Sequence, residues 1–143
     1  MITGFEQIYE QLVAGPAVVS TSTVPASYID VSGFERFQFK INMGATDGTL
    51  DAQVKQATAA AGTGSKNITG AAITQLSATD DNKQAIIEVQ TSKLDINNDF
   101  RYVAITLTAS GTTTLSCEFR GLNPDKAPVT QPAAFVEQVF VGG

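Results

Sequence analysis

Residues 34–55 read Phe34-Glu35-Arg36-Phe37-Gln38-Phe39-Lys40-Ile41-Asn42-Met43-Gly44-Ala45-Thr46-Asp47-Gly48-Thr49-Leu50-Asp51-Ala52-Gln53-Val54-Lys55. Phe37, Phe39 and Ile41 alternate with Arg36, Gln38, Lys40 and Asn42. Beyond a polar break, Leu50, Ala52 and Val54 alternate with Asp51, Gln53 and Lys55. A period of two sends one set of side chains to a core and the other to water or a partner, which is the signature of a half-buried strand. The break, residues 44–48, carries Gly at both ends and suits a hairpin loop. The stretch therefore predicts two antiparallel strands joined by a turn.

The same phase recurs along the chain. Val103, Ile105 and Leu107 alternate with Tyr102, Ala104, Thr106 and Thr108; Leu115, Cys117 and Phe119 alternate with Thr114, Ser116, Glu118 and Arg120. Ser110-Gly111 is the expected turn between them. Residues 85–89, 17–23 and 28–31 supply further short strands. Residues 59–66 and 79–82 read as turns, and residues 94–99 as a polar connection. Helix is sparse: residues 5–13 and 133–139 are the candidates, and both also suit extended chain. About seven or eight strands at short spacing predict an all-β fold, an antiparallel β-sandwich of jelly-roll type with extended N- and C-terminal arms. The expected core comprises Phe37, Phe39, Ile41, Leu50, Val54, Ile87, Val103, Ile105, Leu107, Leu115, Cys117 and Phe119.

A chain of 143 residues is the size of one domain. The expected organisation is an N-terminal arm over residues 1–14, a sandwich over 15–122, and a Pro-rich arm with an apolar end over 123–143. Pro124, Pro128 and Pro132 punctuate that last segment. Proline lacks the N–H that a central strand needs, so an extended strap is expected there. The apolar residues beyond it, Phe135, Val136, Val139, Phe140 and Val141, are the candidate interface, docking on the chain's own sandwich or on a neighbouring subunit.

Composition narrows the function. Charged residues make up 16% of the chain, low against a typical ~25%, and a Thr-rich surface of this kind often faces other protein. The net charge is −5 and the lysines lie scattered, so no basic face exists for nucleic acid. No apolar run approaches the ~20 residues of a membrane helix. Residues 1–6 lack a basic and an apolar signal region, so a chain made in the cytoplasm without signal-peptide export is expected.

Catalytic candidates are few. The sequence has no His, which excludes His-based triads and His-ligated metals. Its single cysteine, Cys117, falls in the apolar phase of a strand and reads as a buried small hydrophobe. Asp80 and Asp81 are adjacent, a poor geometry for an acid–base pair, and read as a turn. Residues 62–66, Gly-Thr-Gly-Ser-Lys, resemble a phosphate loop but lack its spacing and following helix. Asp95, Asn97 and Asp99 match the start of a calcium loop; Phe100 and Thr106 stand where an EF-hand needs Gly and Glu. A simple surface calcium site is the residual metal candidate, and an Asx turn is the bland alternative. Arg101 and Tyr102 either face a ligand or open a strand, with Arg101 paired to an acid. No cofactor is implied, and a non-enzymatic protein is expected.

Several segments in order, residues 29–34, 37–44, 47–54, 68–76 and 100–103, together resemble the small head decoration (cement) or head-fibre proteins of tailed bacteriophages. The resemblance implies a β-sandwich on the outer surface of the capsid, made in the bacterial host cytoplasm, with termini reaching over neighbours. The implied partners are the major capsid protein and further copies of the chain, a trimer being the first expectation. It transfers no site residues, because such proteins act through surfaces. Two rival readings are a discoidin-like carbohydrate-binding module and a tail or baseplate component. The first normally presents Trp or Tyr platforms, and this sequence has no Trp and only Tyr9, Tyr28 and Tyr102.

Overall fold

The computed structural model describes residues 3–24 and 28–142. Nine strands carry the fold: β1 (Ile8–Ser20), β2 (Thr23–Val24), β3 (Ile29–Asp30), β4 (Phe34–Thr46), β5 (Thr49–Ala57), β6 (Lys66–Ala72), β7 (Lys83–Gln90), β8 (Tyr102–Ser110) and β9 (Thr112–Pro124). The only helical elements among the described residues are single 3₁₀ turns such as Ala78–Asp80 and Ile96–Asn98. Of the two helix candidates, residues 5–13 keep only the end of the 3₁₀ turn Gly4–Glu6 before entering β1, and residues 133–139 form no helix. No helix among the described residues is long and apolar enough to cross a membrane.

One sheet runs β1-β9-β4-β7 and the other β2-β8-β5-β6, with β3 also on β8. The short β2 and β3 pair with successive parts of β8, at Thr108 and Leu107 and then at Val103 and Tyr102. They therefore count as one interrupted strand. The antiparallel pairs β1·β9, β2/β3·β8, β4·β7 and β5·β6 nest inside one another along the chain. A long hairpin rolled up on itself gives this nesting, and the result is the eight-stranded jelly roll.

Side-chain alternation explains why the two sheets close on each other. Phe39 stands opposite Phe119 and Ile41 opposite Cys117 across β4 and β9, while Val54 faces Ile105 and Ala52 faces Leu107 across β5 and β8. Every residue of the expected core is buried. Phe37, Phe39 and Phe119 form one aromatic cluster, extended by Tyr9 and Phe34, with ring centroids 5.4 to 6.4 Å apart. Such spacings are those of favourable edge-to-face and offset pairs.

Three departures from the sequence reading have physical causes. First, residues 8–14, expected in the arm, form the first half of β1 and pair with β9. The strand sits at a sheet edge, and its register slips between Leu12 and Ala14 and again between Ala14 and Ala17. Edge bulges blur the alternation, and an edge tolerates Pro16, which has no N–H to donate. The far end also shifts, because β9 continues through Pro124. Second, β6 shows no period-two alternation. Gly70 takes φ +82, and the register against β5 slips between Gln53 and Lys55. The buried Ile68 and Ala71 are therefore three residues apart instead of two. Third, the first hairpin is tighter than expected, since β4 runs to Thr46 and only Asp47 and Gly48 turn the chain. At the β8–β9 turn Gly111 adopts φ +79, the left-handed region that glycine enters without steric cost.

Thr113 is fully buried and its hydroxyl lies 2.7 Å from that of Thr46, also buried. Thr113→Val keeps the shape and removes this bond. It is expected to cost about 1–2 kcal/mol in urea unfolding, the usual loss for a buried hydroxyl partner.

Candidate functional site

The catalytic and metal candidates all resolve into local structure. Asp80 accepts the Ser77 amide at 3.1 Å, and Asp81 accepts the Thr46 amide at 3.0 Å. Both carboxylates hold turns. Residues 62–66 form successive tight turns leading into β6, where a phosphate loop would lead into a helix. Lys66 reaches across to Asp95 at 2.5 Å and lies 4.2 Å from the Phe100 ring centre. Asp95 also accepts two bonds from Asn98, at 2.9 and 3.0 Å. Hydrogen bonds from Lys66 and then Asn98 hold the Asp95 carboxyl below its ordinary range. Asp99 ends the turn at φ 62. Asp95, the first of the three calcium candidates, thus already has a cation from its own chain. Among the described residues no three His, Cys, Asp or Glu side chains gather in a way that would hold a metal. Chelator is expected to leave the melting temperature unchanged; a fall of several degrees, restored by calcium, would reveal a metal site.

Tyr102 opens β8 and Arg101 stands just before it. Arg101 lies 3.9 Å from Asp30, so the pair is an exposed ion pair at a strand start. Tyr9 joins the aromatic cluster, and the Tyr28 hydroxyl meets Ser65 at 2.5 Å. Cys117 is buried, and burial pushes its thiol up to about 12, far from nucleophilic use at neutral pH.

The two outer faces of the sandwich differ. On the β1-β9-β4-β7 sheet, rows of side chains cross the strands in register: Glu10, Arg120, Gln38 and Glu88 form one row, and Leu12, Glu118, Lys40 and Ile86 the next. Arg120 meets Glu10 at 2.8 Å, Gln38 meets Glu88 at 2.6 Å, and Lys40 meets Glu118 at 4.0 Å. Partial burial raises the Glu10 carboxyl, and Arg120 pulls it back down. Charge on this face is internally matched. The opposite face carries Thr49, Thr106, Thr108 and Ser110 around a shallow depression of about 360 Å³ that Asp51, Gln53, Lys55 and Asn67 help to line.

The C-terminal strap is the feature that leads off the domain. After β9 the chain folds back beside β1, the open edge of its sheet. The Val129 amide donates to the Glu6 carbonyl at 2.9 Å. Gln131 does the main work: its Oε1 accepts the Glu10 amide at 2.9 Å, and its Nε2 donates to the carbonyls of Phe5 at 3.0 Å and Ile8 at 2.7 Å. One amide side chain thereby satisfies three backbone groups that an edge leaves bare. The sequence did not single out Gln131, because a glutamine between prolines carries no distinguishing signal.

Beyond that anchor the candidate interface residues separate. Phe135 is half-buried and borders a shallow groove against Glu10, Leu12 and Glu118. Val136, Val139, Phe140 and Val141 are exposed, at 93%, 73%, 51% and 92%. The strap docks on its own sandwich, and the apolar tail does not.

No family model and no curated protein matches this chain. Among solved structures, a chain of infectious bursal disease virus, Gx strain, aligns with 80% of this chain at 11% identity and a TM-score of 0.48. The aligned part spans only 31% of that viral chain. A chain from Bacillus endospore appendages, described as a novel family of disulfide-linked pili, aligns with 81% of this chain and 88% of its own length, at 12% identity and a TM-score of 0.37. These are distant likenesses of fold and assign no family.

Proposed function

We propose that this chain is a non-enzymatic virion structural protein that decorates or cements the outer surface of a tailed-phage capsid. Its partners in this reading are the major capsid protein and further copies of itself, with a trimer expected first. The observation that carries the proposal is the strap: a proline-rich segment pinned to the domain by Gln131, followed by an exposed apolar tail. Burying side chains of the Val and Phe kind is worth roughly 1.5–3 kcal/mol each, so such a tail is built to be covered in an assembly. The jelly roll supports the reading, since viral capsid domains recur on it, and so does the ordered resemblance over roughly residues 28–120. The candidate catalytic carboxylates are absorbed in turns, which is consistent with action through surfaces.

The test is binding to capsids purified from a phage lacking the protein. The intact chain is expected to co-sediment with them. A chain lacking residues 136–143, which retains Gln131 and its anchor, is expected to bind at least roughly tenfold more weakly through lost avidity. Failure of the intact protein to bind would overturn the proposal.

A further inference from the structure

On the side of the sandwich opposite β1, the two sheets end in β7 and β6. Among the described residues β7 pairs with β4 alone and β6 with β5 alone, so each presents a free backbone edge. Between them lies a groove of about 330 Å³, lined by Ile68, Ala71, Ile87, Val89, Glu88 and Lys93 among others. Its apolar floor retains slight exposure, 6% and 4% at Ile68 and Ala71 and 8% at Ile87 and Val89, where the centre of the core has none. The sandwich is slightly open along this side.

We propose that the tail of a second copy fills this groove, adding to the free edge of β7 as an antiparallel strand with Glu137 beside Lys93. Extended segments add to open sheet edges in this way, with backbone bonds supplying affinity and alternate side chains supplying specificity. The tail has the required pattern. Aligning Val139 with Val89 sets Val141 beside Ile87, both pointing into the groove. Phe140 then points outward, diagonal to Ile86, whose side chain is 53% exposed on that face. Glu137 falls beyond the end of β7, toward Lys93.

Charge favours this register. Lys93 makes no ion pair among the described residues, whereas Glu88, the acid of the groove, is held by Gln38 at 2.6 Å and Arg36 at 3.8 Å. The tail's acid therefore meets the groove's available base. Reach decides that the occupant is a second copy. Phe135 lies over β1, and β7 is three strands away in the same sheet, roughly 14 Å at the usual strand spacing. Glu137 is two residues beyond Phe135 and reaches at most about 7 Å. Its backbone therefore cannot take the strand position beyond β7 of its own chain, one spacing further still, while the strap stays docked. A contact from one edge to the opposite edge is head-to-tail, which closes into a ring or continues as a filament.

This inference concerns contacts between copies and stands independently of the capsid reading, so it is tested on purified protein alone. Lys93→Glu and Glu137→Lys alter exposed side chains, and each is expected to weaken self-association by roughly fivefold, as loss of an exposed ion pair does. The double variant is expected to restore it. A second measurement identifies the occupant: Glu137→Cys and Lys93→Cys proteins, mixed and oxidised, are expected to form a disulfide-linked pair on a non-reducing gel, Cys117 being buried. A wild-type protein that stays monomeric at all concentrations would overturn the proposal. So would charge reversals without effect, absence of the mixed disulfide, or a Glu137→Cys/Lys93→Cys double variant that links only within one chain.

Discussion

Phe119→Ala is expected to destabilise the domain by about 3–5 kcal/mol, read from the urea midpoint at unchanged slope. Phe119 is fully buried and its ring contacts Phe37, Phe39, Phe34 and Tyr9, with centroids 5.4 to 6.4 Å away. It sits on β9, the strand between β1 and β4, so its loss loosens the middle of one sheet and its packing on the other. Phe34, Phe37 and Phe39 belong to the central strand β4 and cannot collapse into the gap without breaking register, which places the cost high in the range for aromatic truncation. Typical domains have only ~5–15 kcal/mol in total, so the variant approaches the edge of folding. Phe140→Ala provides the contrast within the same chain. Half of that side chain is exposed, and its removal is expected to change stability by less than about 0.5 kcal/mol. A large loss at Phe140 would show that the tail serves the fold of its own chain.

Gln131→Ala is expected to release the strap and leave the core intact. The substitution removes all three bonds that the side chain makes to the Glu10 amide and to the carbonyls of Phe5 and Ile8. Each such bond is worth roughly 0.5–1.5 kcal/mol net, and water replaces part of them at a half-exposed edge. A local loss of about 2 kcal/mol corresponds to roughly thirtyfold faster hydrogen exchange at the Glu10 amide. Amides in β4 and β8 should keep their protection, because the core strands make no bond to Gln131. Uniform acceleration across both sheets would mean that the strap supports the whole domain.

The interior of this fold is legible in the sequence because burial there is all or none. Phe37, Phe39 and Ile41 are fully buried while Gln38 and Lys40 keep partial exposure, and a period of two records that contrast. The edges are less legible for the same reason. In β1 half-buried residues follow one another from Ile8 to Gln11, and two register slips break the phase. In β6 a left-handed Gly70 moves Ala71 onto the core face out of turn. The candidate surface divides along similar lines. An apolar tail beyond a proline-rich strap is visible as composition. The anchor is not, since Gln131 acts through tertiary hydrogen bonds to residues more than a hundred positions away. The groove between β6 and β7 is equally invisible, because only the rolled topology brings those two edges together.

Electron cryomicroscopy of phage heads assembled in the presence of this protein tests the central claim most directly. The account predicts density for the jelly roll at symmetry-related positions on the outer capsid surface. It also predicts that this density is lost or strongly reduced when residues 136–143 are deleted. Virions whose outer capsid surface shows no such density, with the protein absent from purified heads, would contradict it.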